Sequence, residues 1–569
     1  MKAKKISFTP EKIWNIVIFA FFAWFIFAFL IFPNLNTIVS VFFQDGQFTT
    51  VSFDKLIHSA KAMKSLRNSL ILAPALSITV GFVGISLVLI TEYFDIKGAK
   101  ILRLGYMTTL IYGGIILVSG YKFIYGKTGI LTTLFAKIIP SFPIDWFEGF
   151  WAVLFVMTFA CTSNHMIFLR NAMRAVDFQT VEAAQNMGAS QFRILTKVVL
   201  PPSLLAVTIL TFITGLSATS APLLVGGQEF QTITPMILTF SGNVSSRPLA
   251  ALLALFLGVA TILLLTVMIQ IEKRGHYMSI SKVKTTIIKQ KIRNPILNVL
   301  VHIYAYVLFL IYVIPVVLVV LFSFTDAATI ASKKLTLSSF TLDNYISIFQ
   351  KATSYKPFVV SICYSAIAAL LVAVIVLVAC RIIQKRKDRL GSALEYGLLI
   401  PWLLPTTLMA LGLITTYNTP RFWMLNQVLT GTSVIMLIGY MIIKIPFTLR
   451  MTKAAFFALD DSLEDASRNL GAKPLYTFLR VQLPIILPTV LAIFALNFNG
   501  LLGDYDMSVF MYHPLNQPLG VYIKSLTNSE TNADNAALTF VYAVLMMVIS
   551  SIVMYLVYGR GNKVDKREK

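Results

Sequence analysis

Long apolar runs separated by short polar stretches dominate this chain of 569 residues. A helix needs roughly 20 apolar residues to cross about 30 Å of hydrocarbon, whereas a membrane sheet must close into a barrel of short alternating strands. The runs here are continuous and long, so they predict helices. They fall at 14–32, 69–90, 104–121, 150–169, 200–219, 249–271, 299–322, 359–380, 396–416, 428–445, 484–502 and 538–558. The fold class expected is therefore an all-α polytopic membrane protein of about twelve transmembrane helices in two pseudo-equivalent six-helix halves. The halves are 1–275 and 294–569, joined by a basic linker at 276–293. Glycines or prolines interrupt the third and ninth runs. The first run is too long for a signal-peptide core and leads into Phe32-Pro33-Asn34-Leu35 rather than a small-residue cleavage site, so it is expected to be retained.

Composition agrees. The chain is 57% hydrophobic and only 13% charged, with a mean hydropathy of +0.77, which excludes an ordinary soluble domain. Lys and Arg counted by loop orient it, because short inward loops are enriched in both. With the N-terminus inside and Lys444 assigned to the inner end of span ten, 34 of the 48 Lys and Arg fall in inner segments. Both termini are then cytoplasmic. The net charge of +23 reads as this bias plus attraction to anionic lipid, not as nucleic-acid binding. Cys161, Cys363 and Cys380 show no paired spacing and read as packing residues.

One pattern occurs twice. Asp177, Glu182-Ala183-Ala184, Asn186, Gly188-Ala189, Val198 and Leu200-Pro201 recur as Asp460, Asp465-Ala466-Ser467, Asn469, Gly471-Ala472, Val481 and Leu483-Pro484, each displaced by 283 positions. Both copies lie in loops assigned to the cytoplasm, between spans four and five and between spans ten and eleven. An aspartate able to cap a helix, small helix formers, then a glycine suited to a left-handed stop predict two short helices meeting at an angle. Such a knuckle is a socket for another protein rather than a catalytic centre.

The pattern resembles the EAA loop of binding-protein-dependent ABC importer permeases: Glu-Ala-Ala, three residues, Gly, nine residues, Ile, one residue, Leu-Pro. The first copy fits with Val198 for Ile. The second departs further, with Asp465 for Glu, Ser467 for the second Ala and Val481 for Ile. The resemblance implies a MetI-like permease whose knuckles are coupling helices, docking two copies of a cytoplasmic ABC ATPase subunit at Glu182, Ala183, Ala184 and Gly188 and at Asp465, Ala466, Ser467 and Gly471. Glu182 and Asp465 would shape the docking helix and pair with basic groups of the ATPase. An extracytoplasmic solute-binding protein would deliver solute to loops near 222–235 and 504–520. The doubled length resembles the fused ferric iron permeases, which makes ferric iron the leading cargo and leaves 2-aminoethylphosphonate, thiamine or another small polar solute open. The implied location is the cytoplasmic membrane of a bacterium, with membrane lipid as the other partner.

No engine is evident in the chain. Five residues separate Gly120 from Gly126-Lys127-Thr128 where a phosphate loop needs four, and that stretch is assigned to the outer side. His58, His165, His276, His302 and His513 are scattered without metal-ligand spacing, and no nucleophile-elbow sequence occurs. The expectation is a transport subunit without catalytic, metal or cofactor sites, ATP and Mg²⁺ being held by the partner ATPase. The predicted spans are almost free of charge, with Asp504 and Asp506 assigned to the outer surface as a solvated loop cap or a cation lure. That argues against an ion-coupled secondary transporter. A membrane-integral enzyme and an ATP-driven exporter are the further rivals.

Overall fold

The computed structural model describes residues 10–44, 46–111, 113–175, 184, 186–189, 201–274, 289–292, 294–386, 388–457, 459–460, 462–527 and 533–561. Apart from a small hairpin, Phe43–Gln44 with Gln47–Phe48, the described chain is helical. The first half contains α1 (Pro10–Phe25), which runs through a π-helical segment (Ile26–Ile31) into α2 (Phe32–Phe42), then α3 (Val51–His58), α4 (Ala60–Val88), α5 (Ala99–Tyr106) and α6 (Gly114–Tyr125). After these come α7 (Ile130–Ile138), α8 (Phe150–Ala175), α9 (Pro201–Leu216), α10 (Ser220–Val225), α11 (Ile233–Ser241) and α12 (Arg247–Arg274). The second half contains α13 (Pro295–Ser323), α14 (Ala327–Ser332), α15 (Asp343–Gln350), α16 (Ala352–Lys385), α17 (Arg389–Leu403), α18 (Thr406–Tyr417) and α19 (Ser433–Phe457). It continues with α20 (Ser462–Asn469), α21 (Pro474–Thr477), α22 (Leu483–Leu502), α23 (Ser508–Met511), α24 (Leu519–Thr527) and α25 (Ala533–Gly561).

Among the described residues nine helices are long and apolar enough to cross a membrane, and two bent pairs raise this to eleven. The expected third and ninth spans are not straight. Each is broken into two helices, the first bent by 114° between Ala99–Leu110 and Gly114–Ile138, the second by 104° between Arg389–Leu403 and Thr406–Tyr417. Gly113 adopts extended backbone in the first. Pro405 does so in the second, where it cannot donate the hydrogen bond that would continue the helix. The expected fifth span appears as α9, 16 residues long and adjoining residues outside the described set. The tenth span also moves: α19 runs Ser433–Phe457, which puts Lys444 near its middle rather than at its inner end.

The halves superpose in sequence with two different offsets. Val51–His58 corresponds to Asp343–Gln350 and Gly114–Tyr125 to Thr406–Tyr417, 292 positions apart at both ends of each pair. From the start of α8 to that of α19, Phe150 to Ser433, the offset is 283, the value of the loop repeat. The difference of nine lies between α6 and α8, where the first half carries α7, nine residues long, and the second half has a shorter loop. Equivalent contacts survive the divergence. The Ser69 hydroxyl accepts the N–H of Ile233 at 2.9 Å, at the start of α11, and Ser361, 292 positions on, accepts that of Leu519 at 2.8 Å, at the start of α24. All four residues are buried.

Each half lends its first helix to the other. Phe22, Phe25 and Phe29, from α1 and the π segment, are buried in one core with residues of α16, α18 and α19, where the Tyr417 hydroxyl donates to the Ala28 carbonyl and Trp24 Nε1 to that of Trp423. Reciprocally, α13 sits on the first half: Tyr106 Oη donates to the Ala305 carbonyl at 2.7 Å and Tyr121 Oη to that of Ile311 at 3.3 Å. Lipid offers no polar partners, so bonds of this kind contribute about 0.6–2 kcal/mol each beside the packing. At the crossing of α9 and α4 the backbones nearly touch, and a Cβ on Gly215 would lie 2.7 Å from Ala73 Cα. The opposite helix faces, with Ile78, Phe82, Leu263 and Leu370 exposed, present the apolar surface that lipid covers.

Candidate functional site

The second knuckle is fully formed. Asp460 accepts the N–H of Ser462 through Oδ1 at 2.9 Å, so its carboxyl is held below the ordinary value by hydrogen bonds from Ser462 and anchors the start of α20. The helix ends in a Schellman cap: Gly471 N–H bonds to Arg468 O at 2.9 Å and Ala472 N–H to Ser467 O at 3.0 Å. Gly471 has φ +83° with open space around the place of a Cβ, so the left-handed backbone, not crowding, calls for glycine. The first copy matches where it is described. Gly188 has φ +80°, and Ala189 N–H bonds to Ala184 O at 3.0 Å, the same bond 283 positions earlier. Asp177, Glu182, Ala183 and Val198 lie outside the described residues, as does most of the linker.

Of the candidate docking residues, Asp465, Ala466, Gly188 and Gly471 are exposed, while Ser467 and Ala184 are half-buried. Sequence reasoning passed over the tips. Met187 and Leu470, each directly before its glycine, are 81% and 89% exposed. A large apolar side chain is thus exposed at the same place in both caps, where few of its atoms are covered by this chain. Its signal was in the repeat itself, since the two residues are 283 apart.

Beneath the second tip is a polar cluster. Glu464 receives Arg381 of α16 through two nitrogens at 3.0 and 3.1 Å, Gln482 Nε2 at 3.1 Å and Lys385 at 3.5 Å. Burial alone would raise the Glu464 carboxyl; the Arg381 hydrogen bond and charge, with Lys385 and Gln482, outweigh it and hold it below its ordinary value. Arg381 also lies over the Phe478 ring at 5.9 Å, and Phe478 stacks on Phe456 at the end of α19. Further along the same ends, Glu92 pairs with Arg103 at 3.3 Å and Arg170 at 2.8 Å. The equivalent positions in the second half are Gln384, Glu395 and Lys453, and there Lys453 pairs directly with Glu395 at 2.5 Å.

At the other end of the second half, Asp504 accepts the N–H groups of Met507 and Ser508 at 3.2 and 3.0 Å, capping α23. It is a loop cap, but not a solvated one. Asp504 and Asp506 are both half-buried, and Lys444, on whose charge Asp504 acts, sits near the middle of α19. The spans are thus less free of charge than expected, and the argument against an ion-coupled carrier from absent charge fails. Lys127, in the stretch that resembles a phosphate loop, is paired with Asp145 at 3.0 Å and Glu148 at 3.2 Å.

Comparison with known proteins supplies the class. Residues 372–563 match the family model described as the binding-protein-dependent transport system inner membrane component. A protein of Sinorhizobium fredii (strain NBRC 101917 / NGR234) named "Probable ABC transporter permease protein y4fN" is 38% identical over 539 residues, covering 94% of each chain. The ferric transport system permease protein FbpB of Actinobacillus pleuropneumoniae is 20% identical over 93% of this chain and 76% of its own. A Salmonella paratyphi A protein with the provisional name of 2-aminoethylphosphonate transport system permease protein PhnV is 26% identical over 42% of this chain and 90% of its own. By its full-length likeness at 38% identity, this chain belongs to the ABC transporter permeases, as a membrane component of a binding-protein-dependent import system.

Proposed function

We propose that this single chain forms the whole transmembrane path of its importer, taking solute from an extracytoplasmic binding protein and driven by two ATPase subunits seated on the two knuckles. The observation that carries this reading is the matched pair of caps, Gly188 and Gly471, each presenting an exposed apolar tip, Met187 and Leu470. Two equivalent sockets on one chain suit two copies of one subunit. Both termini and both knuckles would face the cytoplasm, in keeping with the Lys and Arg distribution. Hydrolysis would belong to the ATPase and alternating access to the rocking of the halves.

Ferric iron leads as cargo because the likeness to the ferric permease runs through both halves, at 93% of this chain. The test is co-purification in mild detergent, with mass spectrometry of bound proteins and metal analysis of the binding protein. ATPase bound to the parent chain and lost from Met187→Asp and Leu470→Asp supports the docking reading; ATPase retained by both variants overturns it. A binding protein loaded with ferric iron fixes the cargo, and one loaded with a phosphonate replaces it.

A further inference from the structure

The second knuckle is fastened to the membrane helices by polar side chains whose counterparts in the first half are apolar. Glu464 on α20 is bound on one side by Arg381 and Lys385, in the last turns of α16, and on the other by Gln482, at the foot of α22. Its side chain is 22% exposed, against 69% for neighbouring Asp465, and Gln482 is buried. The interaction is therefore screened less than a surface pair and holds one geometry. In the first half the counterparts of Glu464, Gln482 and Arg381 are Val181, Val199 and Leu89. None of these can form an ion pair.

We infer that Glu464, Arg381 and Gln482 form a latch that makes the second docking helix move as one body with the end of α16, across a bond to the foot of α22, so that displacement of that knuckle is delivered to α16 as well as to the span that follows it in the chain. Resting on the docking reading above, the inference adds which helix takes the stroke and that the halves differ in this respect. α16 is the natural receiver, because it packs along both α19 and α22. A push on α20 therefore reaches the two spans against which α16 packs. Glu464 and Arg381 act here as positioning residues. Glu464 does not need to touch the ATPase; Asp465, 69% exposed and 3.9 Å from Arg468, is the acidic residue that faces outward.

The test uses the permease bound to its own ATPase, with the three native cysteines replaced and nitroxides at Ser462→Cys and Val378→Cys, both exposed positions, on α20 and on α16. Trapping with ATP, Mg²⁺ and vanadate is the probe. In the parent the label separation stays the same on trapping, since knuckle and helix travel together. In Glu464→Arg or Arg381→Glu it shifts or broadens, and in the Glu464→Arg/Arg381→Glu double variant it is fixed again. If the single reversals release the ATPase, its return in the double variant is the supporting result and its continued absence the overturning one. A parent separation that changes on trapping, or single variants as rigid as the parent, also overturns the latch. A parent that holds no ATPase overturns the docking reading and this inference with it, and is recognised before any label is read.

Discussion

The two halves carry knuckle caps of the same backbone geometry above unlike charge clusters. The caps at Gly188 and Gly471 share one hydrogen bond and one left-handed residue. Below them, the first half clamps its helix ends with Glu92 between Arg103 and Arg170, and the second uses a direct Lys453–Glu395 pair plus the Glu464 cluster. Backbone shape depends on a positive φ that few residues can supply, so it persists. Charge neutralisation at a helix end is met by many residue sets, so it drifts after duplication.

The largest expected effect separates the two clamps. Glu92→Gln leaves two partly buried guanidinium groups without their shared carboxylate and should cost about 3–5 kcal/mol, whereas Lys453→Gln strands one carboxylate and should cost about 1–3 kcal/mol. Thermal unfolding in detergent would show the order, and equal losses would break the contrast. Next, Gly215→Val pushes α9 off Ala73 and should cost about 1–3 kcal/mol by overpacking; the equivalent Phe498 shows that the second half keeps no such backbone contact.

Gly188→Ala and Gly471→Ala should each cost about 1–2 kcal/mol from the left-handed backbone alone, and by the same amount. Hydrogen exchange at Ala189 and Ala472 would report it, and a cost at only one site would mean that the knuckles are less alike than their caps. The smallest effect is pH-dependent. Because the folded-state Glu464 carboxyl is lowered from 4.5, its stabilisation is fully present above that value and is lost as pH falls through the lowered one. Acidification should thus loosen the second knuckle, read as faster exchange at Ala472, and Glu464→Gln should reduce the response to the part that comes from Asp460, whose carboxyl is also lowered. Val181 gives the first knuckle no such titration.

The helix-rich membrane fold and the knuckle caps were legible because they rest on local rules: apolar length, and a glycine after a short helix. The breaks at Gly113 and Pro405 were visible as residues but not as angles near a right angle, since a glycine or proline in an apolar run is tolerated in many straight spans. Lys444 was misplaced because the hydropathy run stops at it while the helix does not; the structure supplies Asp504 as a neighbour some 60 residues away, which no local pattern contains. Glu464 lay inside the repeat window but has Val181 as its counterpart, so a reading that sought matched positions passed over it. The second offset, 292, was hidden by the α7 insertion, which leaves similar shapes but few identical residues before it.

The exchanged first helices have a consequence for synthesis. The Tyr417 bond to Ala28 and the Trp24 bond to Trp423 join residues 389 and 399 positions apart. At about 5–20 residues per second, the ribosome reaches Tyr417 roughly 20–80 s after Ala28. Throughout that interval the aromatic face of α1 is in the bilayer without the surface it finally covers. Membrane insertion and final assembly are therefore separate events for this helix, and the first half completes its fold only after most of the second has been made.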